Sequence, residues 1–319
     1  TREVQLLWEA VDDFEQAIAL DPEFALAWSG LADAIDAIAY RSPSGLALVP
    51  RAKMAAQRAV LLEPEMAEGW ASWGTLASEA DRDWATAEIA LARAITLKPS
   101  YAYARAMLGD VARYRGRVKE AIAHHQAALA LDPLSPVING VLGLSLFAAR
   151  QYGEARLQWE ITLATTGDPE VAHAALFLWG RDMGLTADEI SRHGVTLARR
   201  LGASDPELAS VVGRALGSDG SDAALLEEAR VATGALVAED VFTVRQAASV
   251  YTSLGDYEKA LQSIEDADPQ IELSLALVGI DPTLDPLRDD PRMQRLMDEL
   301  GLPNGYDPET DAYQPESRP

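Results

Sequence analysis

Apolar residues recur along this chain at helical spacing. Ala10, Phe14 and Ala17 form an i, i+4, i+7 stripe that runs into Pro22. Near the other end, Met293, Leu296, Met297 and Leu300 repeat the stripe, with Asp289, Asp290 and Arg295 left for solvent. Between them, alanine-rich apolar runs each close at a proline. Pro22, Pro64, Pro99, Pro133, Pro169 and Pro206 follow one another at intervals of 42, 35, 34, 36 and 37 residues. A period near 34 with a proline closing each unit predicts stacked helical hairpins, each burying its apolar face against its neighbours. Such an all-α fold offers a surface rather than a reaction.

The turns carry their own signals. Asp21 is positioned to cap the next helix, with Pro22 in its first turn and Glu23 near the positive helix end. The device recurs as Asp168-Pro169-Glu170 and Asp205-Pro206-Glu207. Ser42-Pro43-Ser44-Gly45 reads as a lengthened turn inside the 42-residue unit, and Gly217 to Ser221 as a turn within a later pair. The chain opens at Thr1 in what reads as the second half of a hairpin, so a fragment of a longer protein is expected.

Six residues after Pro22 stands Trp28, then Leu31 and Ala32; six after Pro64 stands Trp70, then Trp73 and Gly74. The register continues as Leu108-Gly109 and Leu142-Gly143, and Ala52, Ala87, Ala121 and Ala155 supply small residues in the second helices. Small residues there let paired helices approach closely. On these positions the chain resembles the tetratricopeptide repeat family, well matched from residue 8 to about 169. The resemblance implies a right-handed superhelical solenoid of antiparallel helix pairs. The aromatic of the second helix is present as Phe14 and Trp159 but replaced by Ala56, Leu91 and His125 elsewhere. Residues 1–169 are thus read as repeats, the first partial. Residues 170–303 read as degenerate pairs with a capping helix, and 304–319 as an irregular tail. Within the second stretch, Leu254-Gly255-Asp256-Tyr257 followed by Ala260 restores a repeat turn.

Asp281-Pro282 through Asp285-Pro286-Leu287-Arg288-Asp289-Asp290-Pro291-Arg292-Met293 resembles the closing segment of repeat regions in bacterial signalling proteins. There the repeats follow a winged-helix, nucleotide cyclase or protein kinase domain. Met293 stands where that segment more often has phenylalanine.

The balance of charge narrows the partners. Fifty acidic against twenty-seven basic side chains give a formal charge of −23, which repels nucleic acid and anionic lipid and favours basic or neutral partners. No cysteine is present, a composition compatible with a cytoplasmic or a periplasmic protein. No apolar run reaches the roughly 18 residues of a membrane span, so no membrane insertion is expected. A cytoplasmic location is the first expectation, a periplasmic one following if a membrane span lies upstream.

Chemistry is sparse. No glycine-rich phosphate loop, nucleophile elbow or His-Glu-x-x-His occurs, so the reading is a non-enzyme without cofactor or metal. His124 and His125 are neighbours on a helix and diverge by about 100°. With His173 and His193 they are read as structural or solvent-facing.

The informative surface is then the inner face of the first helices, at four, seven, eleven and fourteen residues after each proline. It offers Leu26, Ser29, Asp33 and Asp36; Glu68, Ala71, Thr75 and Ser78; Tyr103, Ala106, Asp110 and Arg113; then Val137, Gly140, Leu144 and Phe147. Candidate partner-binding residues are Ser29, Asp33, Asp36, Glu68, Thr75, Ser78, Tyr103, Asp110, Arg113 and Phe147. Acidic at its start and aromatic further on, this groove would take a protein or peptide partner with a basic start and an apolar anchor. A small-ligand sensor controlling an attached effector is the alternative, and a homo-oligomer is compatible with either.

Overall fold

The computed structural model describes residues 2–41, 47–166, 170–267 and 273–303, with 306–307 and 312–313. The Ser42 to Gly45 turn and the Asp168-Pro169 cap lie outside the described residues. By their contacts the residues fall into two compact units, Thr1–Val111 and Ala112–Pro319.

The first unit holds α1 (Arg2–Leu20), α2 (Ala25–Arg41), α3 (Val49–Leu62), α4 (Ala67–Glu79), α5 (Trp84–Leu97) and most of α6 (Ala102–Tyr114). The prolines stop helices through the residue in front of them, whose αR conformation would clash with the proline ring. Before Pro64, Glu63 turns to φ −138°, ψ 83°, and before Pro99, Lys98 does the same at −136°, 85°. Three residues after each proline the next helix begins, at Ala67 and Ala102. The turn is held by the tryptophan six residues on: Trp70 Nε1 donates to the Pro64 carbonyl at 2.8 Å, and Trp28 Nε1 to that of Pro22 at 3.0 Å. Asp21 differs from its expected role. Its carboxylate accepts from the Glu23 amide at 3.0 Å in a turn, and α2 starts only at Ala25.

The second unit holds α7 (Val118–Leu131), α8 (Pro136–Ala148), α9 (Tyr152–Thr166), α10 (Glu170–Leu178), α11 (Ala187–Leu201) and α12 (Glu207–Leu216). It continues with α13 (Ala223–Ala238), α14 (Val244–Ser253) and α15 (Tyr257–Glu265). The same turn recurs before α8, where Asp132 adopts −139°, 83° and Asn139 Nδ2 replaces the indole as donor to the Pro133 carbonyl at 3.1 Å. Asp205 makes the same contact as Asp21, accepting from the Glu207 amide at 3.1 Å, but Pro206 stands between it and α12 at the cap position, so it too differs from the expected cap. Thr186 with Glu189, and Thr243 with Gln246, form reciprocal caps on α11 and α14.

Close packing follows the small residues. Ala52, Ala87, Ala121 and Ala155 are fully buried. A Cβ at Gly143 would lie 2.4 Å from the Trp159 indole, and one at Gly74 would lie 2.7 Å from Leu91, so each glycine makes room for the bulky residue facing it. His125, standing at an aromatic position, is wholly buried and shares a 3.0 Å hydrogen bond with Ser145 Oγ.

Two 3-10 segments, Leu273–Ile280 and Pro282–Leu287, lead to α16 (Pro291–Leu300). Met293, Leu296 and Met297 are buried and Leu300 packs on the same core, while Asp289 and Arg295 are exposed. Gly301 ends α16 at φ 61°, a left-handed conformation that glycine adopts without strain. In the tail, Tyr306–Asp307 and Ala312–Tyr313 form a two-residue antiparallel pair. Among the described residues, no helix is long and apolar enough to cross a membrane.

Candidate functional site

In the first unit, α2, α4 and α6 are the first helices of successive hairpins, and side chains bridge them. Ser29 Oγ on α2 lies 2.8 Å from Ser72 Oγ on α4, and Ser72 Oγ also donates to the Glu68 carbonyl at 3.1 Å. Thr75 Oγ1 meets the Tyr103 hydroxyl of α6 at 3.4 Å. Lys98 Nζ donates to Glu68 Oε1 at 2.7 Å and stands 4.8 Å from the centre of the Tyr101 ring, which lies 6.2 Å from that of Tyr103.

This cluster is electrostatically negative. Asp33 reaches solvent, yet it is recessed among α2, α4 and the tyrosines. Desolvation and the neighbouring Glu68 outweigh a hydrogen bond from Ser72, and its carboxyl is pushed up to about 6. Desolvation also opposes the charge on Glu68, but the Lys98 ammonium and its hydrogen bond hold that carboxyl below the usual range. The Tyr101 phenol is pushed up by desolvation and by Asp33 and Glu68. That of Tyr103 is pushed up by desolvation, then by Asp33, Asp36 and Glu79, against the Thr75 hydrogen bond. Four carboxylates thus act on two phenols.

Of the sequence-predicted residues, Ser29, Asp33, Asp36, Glu68, Thr75 and Tyr103 come together here. Not all are surface groups. Ser29, Thr75 and Ser78 are buried, at 1%, 3% and 4% exposure, because the first-helix face also packs against the next hairpin. Asp110 and Arg113 are buried on α6. Phe147 is buried in the second unit, stacked on Trp179 with ring centres 4.4 Å apart, so it offers no open anchor site. These six are corrected from open groove positions to buried ones. Sequence reading missed Ser72, Lys98, Tyr101 and Glu79. Lys98 and Tyr101 flank Pro99, a turn position that the helical register did not examine.

The histidines divide. His124 lies 3.8 Å from Glu120, whereas His173 Nδ1 and His193 Nδ1 are 2.8 Å apart across α10 and α11, a pairing that no local spacing signals. Among the described residues no group of three or more His, Cys, Asp or Glu could hold a metal ion. An apolar recess of about 310 Å³ opens on α3, α4 and α5, lined by Val60, Leu61, Trp70, Trp73 and Ile89 among others. None of the predicted groove residues lines it.

Comparison with known proteins agrees with the fold. Residues 104–137 and 246–268 match the tetratricopeptide repeat family. Both matches are to repeats, and the fold is that of a tetratricopeptide repeat protein. The chain is similar to PilW, a widely conserved type IV pilus biogenesis factor, at 19% identity and a TM-score of 0.51, over 64% of this chain and 90% of PilW. It is also similar to an O-GlcNAc transferase mutant of Thermobaculum terrenum, at 23% identity and a TM-score of 0.40, over 42% of this chain. Only 26% of the transferase's length is covered. YrrB, a repeat protein described with an unusual peptide-binding site, gives 18% identity and a TM-score of 0.39, over 72% of this chain and all of its own. No curated protein matches the sequence.

Proposed function

We propose that this chain is a non-catalytic protein-interaction module whose first unit captures a basic segment of a partner on the face built by α2, α4 and α6. The repeat fold supports the general reading. The particular one rests on the carboxylates of Asp33, Asp36, Glu68 and Glu79 acting on the recessed phenols of Tyr101 and Tyr103. Aromatic faces beside carboxylates attract ammonium and guanidinium groups, and Lys98 over Tyr101 is an internal instance of that contact. The sensor alternative gains nothing from the apolar recess, which lies apart from these residues. The likeness of Asp281 to Met293 to the closing segments of signalling proteins supports placement within a larger regulatory protein.

The test is a fluorescent peptide with three arginines followed by a tryptophan, titrated into the full chain. Changing Asp33→Asn, Asp36→Asn and Glu68→Gln together is expected to weaken binding at least tenfold and to flatten its salt dependence, with unchanged helical circular dichroism. Equal affinity of the triple variant would sink the proposal.

A pH dependence follows from Asp33. Its folded-state value of about 6 lies above the ordinary 3.8, so between those values the folded chain holds a proton that the unfolded chain has released. This group therefore favours folding as pH falls from 7 towards 4. Binding runs the other way, because protonation removes a charge that the basic segment needs. Peptide affinity is expected to drop as pH falls through 6, and Asp33→Asn should remove that drop. An identical pH profile in the variant would show that Asp33 does not titrate there.

A further inference from the structure

The second unit presents a face of opposite character, and the chain itself lies on it. Arg150, in the turn between α8 and α9, pairs with Asp285, 135 residues away in sequence. Arg245 on α14 donates from Nη1 to Asp281 at 2.7 Å, and Ser249 Oγ of the same helix donates to the same oxygen at 3.0 Å. Leu284 and Leu287 are buried between these anchors, and the segment Pro282–Leu287 packs along α14. The segment from Asp281 to Arg288 is thus held as a bound peptide would be, through two acidic side chains and two leucines.

Its hold leaves donors unused. Nε of Arg245 and Nε1 of Trp179 are buried without a hydrogen-bond partner, in side chains only 7% and 4% exposed. The Arg245 guanidinium stands 5.4 Å from the centre of the Trp179 ring, so the two belong to one face. A buried donor left unpaired is unfavourable, and an acidic ligand that reached these groups would gain what the tethered segment does not.

We propose that this face, formed by Arg150, Trp179, Arg245 and Ser249, is a binding surface for acidic, leucine-bearing segments of partner proteins, with Asp281 to Arg288 as its tethered occupant. The tether gives the occupant a high local concentration, so an external segment must compete with it. The inference is independent of the basic-peptide reading, since it concerns another unit and the opposite charge.

The experiment is hydrogen exchange of the full wild-type chain, with and without a synthetic peptide of residues 279–290 at millimolar concentration. The peptide is expected to accelerate exchange of the chain's own amides between Thr283 and Arg288 at least tenfold, with α13 unaffected. The same peptide carrying Asp281→Lys and Asp285→Lys should have no effect. A labelled peptide should also bind the Asp285→Asn chain at least tenfold more tightly than the wild type, because the tethered segment is held less firmly there. A dimer in light scattering that the peptide disperses is the same replacement by a second copy, and counts in favour. Unchanged exchange in the wild type at saturating peptide, or equal acceleration by the lysine-bearing peptide, would overturn the proposal even if Asp285→Asn failed to fold.

Discussion

Trp159→Ala is expected to destabilise the second unit by about 3 to 5 kcal/mol, read as a fall in the denaturant midpoint. Trp159 is among the largest side chains with no exposure at all. It rests on Gly143 and stacks with Trp179 at 5.6 Å, so alanine would leave a void between α8 and α9 that neither helix can close by small shifts. Its indole N–H has no hydrogen-bond partner, so the loss is one of packing, and removal of that unpaired buried donor offsets a small part of it. Leu157, on the same helix but 57% exposed, is the control: its change to alanine should stay within about 0.5 kcal/mol. Similar losses at the two positions would show that the register of α9 is wrong.

Arg245→Leu is expected to be as damaging, for an electrostatic reason. The side chains of Arg245 and Asp281 are only 8% and 2% exposed. Removing the cation leaves a carboxylate in low dielectric with the Ser249 and Thr283 hydroxyls as its remaining side-chain donors, and breaking a buried pair in this way costs about 3 to 5 kcal/mol. Such a loss does not measure the net worth of the pair, since its formation also had to overcome desolvation. Arg245→Leu combined with Asp281→Asn should therefore recover part of the stability. A single-variant loss below about 1 kcal/mol would mean that water solvates Asp281 once the arginine is gone.

These expectations draw on different sources. The position of Trp159 was legible in the chain as the aromatic four residues after Ala155 in a second helix. The partner of Arg245 was not, because 36 residues separate it from Asp281 and no local pattern links a charge within a helix to a segment so far along the chain. The candidate site divides in the same way. Asp33, Glu68 and Tyr103 fall on the predicted stripe and do meet, but Ser72 lies one residue off it and joins them through Ser29. Phe147 lay on the stripe too, yet it is buried against Trp179, which follows a degenerate stretch with no repeat motif to place it.

The sequence by itself determined the helices, their prolines and the close approach of hairpin partners, because these rest on interactions within a few residues or between adjacent helices. A proline restricts its neighbour, an apolar stripe at helical spacing must be buried, and a glycine admits the bulky residue facing it. Only the tertiary structure decided which first-helix positions remain accessible, and which distant charges meet. Within the first unit α2 is covered in part by α4 of the hairpin that follows, and within the second the segment Pro282–Leu287 returns to α14. Exposure and electrostatic field at a position depend on what packs over it, which the local pattern does not encode.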